Sequence, residues 1–222
     1  MTISVRFALI LFLVASVLNA GFGQQKAELI LAGCVDPFGV KVKSGDVWHG
    51  LIASDRGYDL TSTTITVVDS ECQGEPIYLT VDKPGEVIFL VHGINSLSAG
   101  SIRTAFYGNT EIMPEAQLKL SLNDEYELMS IDDDASDTNR VHRVSIKCGS
   151  TYQTIAEIHN MDPENYPFLV WAGDLDRDGK LDLFFYLSDG TRFGGDYVLF
   201  ISSQADEGDL VKRVASFCVQ RD

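Results

Sequence analysis

The sequence lacks the patterns on which most catalytic and cofactor assignments depend. None of its four cysteines stands in a Cys-x-x-Cys pair, and its four histidines are scattered without His-x-His or His-Glu-x-x-His spacing. The usual zinc and thiol redox sites are therefore not indicated. No Gly-x-Ser-x-Gly segment is present either, so the sequence offers no candidate for the serine of an α/β-hydrolase.

Basic residues and long apolar runs are also scarce. The 17 Lys and Arg face 32 Asp and Glu, which gives a net charge of −15. This balance repels phosphate backbones and anionic lipids, so we expect no nucleic acid partner, and cations become better candidates. After residue 18 no apolar run approaches the ~20 residues that a membrane-spanning helix needs. We therefore expect no integral membrane segment in the mature chain.

The N-terminus has the parts of an export signal. Arg6 precedes the apolar run 7–18, and small residues follow that run. The run is too short to span a bilayer as a helix, so we expect residues 1–23 to be cleaved. The mature chain, 24–222, is then exported and is either periplasmic or extracellular.

All four cysteines lie in the exported part of the chain. An even number of cysteines outside the cytoplasm predicts two disulfides, and three connectivities are open. We favour Cys34–Cys72 and Cys148–Cys218, because each bond closes its own half of the chain. Residues 31–34 also have the letters of a lipoprotein cleavage box, Leu-Ala-Gly-Cys, so a lipid anchor at Cys34 is the alternative.

The mature sequence predicts an all-β fold. No stretch after the signal carries a helical stripe of ten residues, whereas short β-rich runs recur between Gly, Asp, Asn and Pro. Residues 117–122 alternate apolar and polar, which is typical of a half-buried strand. We expect an antiparallel β-sandwich-like domain of about a dozen short strands, with a subdivision near 130–137 as the alternative. The clearest runs are 29–31, 63–68, 77–81, 87–92, 102–107, 117–122, 141–147, 152–158, 168–172, 181–187, 197–202 and 210–218.

Two further groups of residues allow both a structural and a functional interpretation. Segment 132–137 contains four Asp, and we expect a solvated loop there, with a second cation site as the alternative. Aromatic side chains at strand positions are expected to form core, with a sugar-binding platform as the alternative. The aromatic residues concerned are Trp48, Trp171, Phe184, Phe185, Tyr186, Phe193 and Tyr197.

The segment 173–182, Gly-Asp-Leu-Asp-Arg-Asp-Gly-Lys-Leu-Asp, has the spacing of a calcium loop. Calcium takes six to eight oxygen ligands, which a tightly curled loop supplies from carboxylates on alternate residues. Gly179 permits the sharp bend, and four acids so close together would repel one another without a cation. We predict Ca²⁺ ligands at Asp174, Asp176, Asp178 and Asp182, and at Lys180 through its backbone carbonyl.

Residues 171–183 resemble the calcium loop of FG-GAP repeats, which occur in integrin α-chain propellers and in bacterial VCBS-type repeat proteins. In that family the loop binds calcium between two strands. The flanking residues 169–171 and 183–186 are strand-like, and Phe185 occupies the position where an EF-hand has its bidentate Glu. The resemblance covers about residues 169–202 in a single copy, and it implies a bacterial source.

These observations predict an exported, calcium-binding and non-enzymatic module. The calcium is structural, and the partner is a protein or a glycan. Glycoside hydrolysis needs only two suitably placed carboxylates, which an acidic chain has in abundance. A secreted hydrolase of polysaccharide or lipid ester, also with a structural calcium, is therefore the alternative.

Overall fold

The computed structural model describes residues 26–35, 41–69, 77–133, 140–162 and 164–219. These residues form fifteen strands that pair antiparallel, and they contain no helix, which confirms the predicted all-β fold. No helix long and apolar enough to cross a membrane occurs in the described ranges. The strands are β1 Glu28–Ile30, β2 Gly33–Val35, β3 Val47–Ser54, β4 Gly57–Asp69, β5 Ile77–Val81, β6 Glu86–His92, β7 Gly100–Glu111, β8 Gln117–Ser121, β9 Glu125–Asp133, β10 Val141–Cys148, β11 Thr151–His159, β12 Phe168–Asp174, β13 Asp182–Ser188, β14 Gly195–Ile201 and β15 Lys212–Val219.

The strands form two sheets. The main path of the larger sheet is β1-β6-β3-β4-β7-β12-β13-β14-β15. Outside this path, β5 pairs with β4 on one side and with β2 on the other. This sheet curls until its first and last strands, β1 and β15, come close together. The smaller sheet has the order β11-β10-β9-β8, and it covers the outer face of the larger sheet.

One core fills the inside of the curled sheet. Phe89 of β6 packs against Phe184 of β13 and Trp171 of β12, with ring centroids 4.6 Å and 6.3 Å away. All three side chains are fully buried. The two walls of the curl are therefore held together by aromatic packing across its interior.

A second core lies between the two sheets. Leu128 of β9 and Ile146 of β10 face Phe185 of β13 and Phe200 of β14 in one cluster. The smaller sheet thus uses the outer face of strands β12–β14 as its packing surface.

Strand β13 is a wall shared by both cores, and every residue in it is buried. Phe184 points into the first core, whereas Leu183 and Phe185 point into the second. Because both faces are covered, the strand reads as a continuous apolar run and does not alternate. Edge strand β8 has one face exposed to solvent. Its more buried and its exposed residues alternate, as the sequence predicted.

Most of the aromatic residues that were candidates for a sugar platform belong to the core. Trp48, Trp171, Phe184, Phe185 and Tyr186 are at most 8% exposed. By contrast, Phe193 is 53% exposed and Tyr197 is half-buried.

The predicted disulfide between Cys148 and Cys218 is absent, and both residues are free thiols. The pairing was wrong because each half of the chain does not fold as a unit. Cys148 ends β10 in the smaller sheet opposite Tyr126, whereas Cys218 lies in β15 of the larger sheet opposite Asp196. Cys72 lies outside the described residues, as do residues 1–23.

We expect Phe184→Ala to lower the free energy of unfolding by about 3–5 kcal/mol, because it opens a cavity in the wall shared by both cores. The matched control is Phe193→Ala, which removes the same atoms from an exposed ring and should change stability by less than ~0.5 kcal/mol. Urea unfolding measures both values. Equal effects of the two substitutions would contradict the placement of β13 between two cores.

Candidate metal centre

The acidic loop lies at one end of the shared wall. Asp174 ends β12, Asp182 begins β13, and residues 175–181 connect the two strands. The two carboxylates at the strand ends are 2% and 0% exposed. Burial of two negative charges is costly unless they are paired, hydrogen-bonded or bound to a cation.

Three of the predicted ligands converge. One carboxylate oxygen from each of Asp174, Asp176 and Asp182 lies within 4.8 Å of the other two. Oxygens that share one calcium at ~2.3–2.6 Å can be at most about 5 Å apart. The spacing of the three side chains therefore fits a single ion, and all the donors are the hard oxygens that calcium prefers.

The predicted ligand Asp178 does not belong to this group of three. Asp178 is exposed, and its Oδ1 accepts a hydrogen bond of 2.8 Å from the amide of Lys180. Both of its carboxylate oxygens are 3.3 Å from Oγ of Ser202, which itself donates to Asp182. The carboxylate of Asp178 is thus connected to Asp182 through the hydroxyl of Ser202. The carbonyl of Lys180 stays a predicted ligand.

The loop curls because its own amides turn toward its own carboxylates. The amide of Gly179 donates to Asp174 Oδ1 over 3.1 Å, and the amide of Asp178 donates to Asp176 Oδ1 over 3.3 Å. Gly179 has φ +90°, and Arg177 adopts the left-handed φ of +63° that side chains usually avoid. The predicted role of Gly179 in the bend is consistent with this geometry.

Asp182 is held by three donors. Its Oδ2 accepts from the amide of Leu175 over 2.7 Å, and its Oδ1 accepts from the amide and hydroxyl of Ser202 over 2.7 Å and 2.8 Å. Burial nevertheless raises the pKa of Asp182 to about 7, since desolvation outweighs these hydrogen bonds and the charge of Asp176 adds to it. A divalent cation would favour the ionised form that burial disfavours.

Asp176 is also biased toward its neutral form. Burial is the main reason that its pKa is raised, and the negative charge of Asp178 contributes, against a hydrogen bond from Ser203 that lowers it. Two acids of the converging group therefore carry a charge that the protein alone does not fully stabilise.

Several contacts of the loop were not predicted from the sequence. Arg103 of β7 donates to Asp174 Oδ2 and to Asn123 Oδ1, both over 2.7 Å, and Asn123 donates to the carbonyl of Gly179 over 2.7 Å. Arg103 and Asn123 are far from the loop in sequence, so no local pattern marks them. The two serines could have been proposed from the sequence, because Ser202 and Ser203 lie at the end of the strand that the family resemblance included.

The loop side chain of Arg177 extends away from the acids. Its guanidinium donates to the carbonyls of Ser98 and Ala99 over 2.7 Å and 3.0 Å. These residues directly precede β7, so Arg177 fastens the loop to the start of the strand that pairs with β12.

The second acidic segment is only partly described, because 134–139 lie outside the described residues. Asp132 is already paired, with Arg140 Nε at 2.7 Å and His142 Nδ1 at 2.6 Å from its carboxylate oxygens. Asp133 forms an ion pair with Arg143. These side chains balance the charge of the two described acids without a metal ion.

Comparison of the chain with protein-family models, curated proteins and solved structures finds no match. The predicted resemblance to FG-GAP repeats therefore depends on residues 169–202 alone.

We expect the calcium-induced rise in the unfolding midpoint to be larger at about pH 8 than at about pH 5. The pKa of Asp182 is raised from 3.8 to about 7 in the fold, so without metal this carboxyl favours the folded state while protonated and loses that contribution as the pH rises through this interval. Calcium binds the ionised form, so protons compete with it below about pH 7. Calorimetric scans with calcium and with a chelator test this, and an equal rise at both pH values would contradict it.

Proposed function

We propose that this chain is an exported, non-enzymatic binding module in which one structural calcium holds the loop between β12 and β13. The observation that carries the proposal is the convergence of Asp174, Asp176 and Asp182 at the end of the shared wall. The export signal predicted from the sequence supports a location outside the cytoplasm. The net charge of −15 favours the binding of cations such as calcium.

The contacts of the loop support a structural role for the ion. Arg103 and Asn123 link it to β7 and to the β8–β9 turn, and Ser202 links it to the end of β14. An ion at this point stabilises contacts to both sheets, and not merely one hairpin. The partner of the module is a protein or a glycan, and the strongly acidic chain favours a partner that is neutral or basic.

We expect calcium to raise the thermal unfolding midpoint of the native chain but not that of the double variant Asp176→Ala with Asp178→Ala. These two acids are less buried than Asp174 and Asp182, so their removal leaves the buried hydrogen bonds intact. A ligand at one hundred times its dissociation constant stabilises the folded state by about 2.7 kcal/mol. Differential scanning calorimetry with calcium and with a chelator measures the shift.

The matched control is Asp55→Ala with Glu207→Ala. It removes the same number of charges from exposed positions outside the loop, and its response to calcium should equal that of the native chain. A calcium response that survives in the loop variant, or that is missing from the native chain, would refute the proposed role of the loop.

A further inference from the structure

A cleft of about 250 Å³ opens on the interior face of the curled sheet, away from the metal loop. It is lined by Asn109 of β7, Val170 of β12, Phe184 of β13 and Tyr197 of β14, which belong to consecutive paired strands, and by Glu86 of β6. Tyr197 precedes Ser202 by five residues, or ~16 Å of extended strand, so the cleft and the loop are separate places on one wall. Ends of closed or curled sheets are frequent ligand sites.

Aromatic rings in fixed orientations border the cleft. Tyr197 stacks on Phe184 with centroids 5.6 Å apart and planes at 24°, and the edge of Tyr186 meets Tyr197 at 5.4 Å. Tyr107, which also lines the cleft, meets the edge of Tyr58 at 71°, with centroids 5.6 Å apart. Packing against neighbours holds both tyrosines in place before any ligand arrives, which lowers the entropy cost of binding.

These two tyrosines differ from the aromatic residues that serve only as core. Trp171, Phe184 and Phe185 are fully buried, whereas Tyr107 is 36% exposed and Tyr197 is half-buried. Rings with a packing role alone are normally covered by their neighbours. Here the accessible parts of both rings border the same cleft.

Polar groups stand beside the rings. Glu86 and Asn109 line the cleft together with Tyr107, and both of these polar side chains are exposed. A carboxylate and a carboxamide together accept and donate several hydrogen bonds next to a flat apolar face. This combination complements a molecule with one apolar face and hydroxyl groups around its edge.

We propose that the cleft binds one pyranose ring of a neutral glycan. A pyranose has C–H groups on a face that packs against an aromatic ring and hydroxyls that reach Glu86 and Asn109. The cleft is smaller than the roughly 300–1,000 Å³ of drug-sized pockets, which suits a single sugar unit of a longer chain. Glu86 and the net charge of −15 disfavour acidic sugars. This inference rests on the proposed function, for which it names the ligand class.

The test is titration calorimetry and saturation-transfer NMR of the mature chain in calcium. The probes are the methyl glycosides of glucose, galactose, mannose and N-acetylglucosamine, with methyl glucuronide as the acidic probe. At least one neutral glycoside should bind, and methyl glucuronide should not. Glu86→Gln and Asn109→Ala should each weaken binding about tenfold or more, because the first replaces a charged acceptor with a weaker neutral one and the second removes a hydrogen bond to the sugar.

Glu207→Gln and Asn95→Ala are matched controls at exposed positions outside the cleft, and they should bind like the native chain. The unfolding midpoint of every variant, measured with calcium and with a chelator, separates lost binding from lost folding. If calcium raises the midpoint but no neutral glycoside binds, or if both cleft variants bind like the native chain, the glycan inference is wrong and the calcium proposal stands. If a glycoside binds through the cleft although calcium has no effect on the midpoint, the calcium proposal is wrong and the glycan inference stands.

Discussion

The burial of two carboxylates at the end of a shared wall is the constraint on which the rest of the structure depends. Asp174 and Asp182 terminate the strands that divide the two cores, so neither can reach water without opening the hairpin. Their negative charge has to be offset where it lies. Backbone amides, the hydroxyl of Ser202 and Arg103 offset part of it, and the raised pKa of Asp182 indicates that the remainder is not fully balanced. A divalent cation between the acids would complete this balance.

The loop also connects parts of the fold that are far apart in the sequence. Arg177 reaches the β6–β7 connection, Asn123 comes from the smaller sheet, and Ser202 ends β14. Hydrogen bonds from three directions meet on a segment of nine residues. Loss of the loop geometry would therefore disturb the packing of the smaller sheet against the larger one, so we propose that an ion bound at this place would stabilise the whole fold.

Much of the fold could be predicted from the sequence, because single strands leave local patterns. The apolar run in β13 and the alternation in β8 predicted their strands and their burial. Strand β3 was missed, since Gly50 interrupts its pattern; in the fold a side chain at Gly50 would press against Leu90 and Thr63, which explains the glycine. The Cys148–Cys218 bond failed for the opposite reason, since sequence spacing carries no information about which sheet a strand joins.

The candidate site was predictable only where it is local. The acids of 174–182 lie within one loop, and three of them meet as their spacing indicated. Arg103 and Asn123 reach the loop through sheet topology, which no sequence window contains.

A crystal structure of the mature chain grown with calcium tests the account most directly. The account predicts an anomalous peak at ~2.3–2.6 Å from oxygens of Asp174, Asp176 and Asp182. A structure with water at this position, and Arg103 as the sole cation on Asp174, would contradict it.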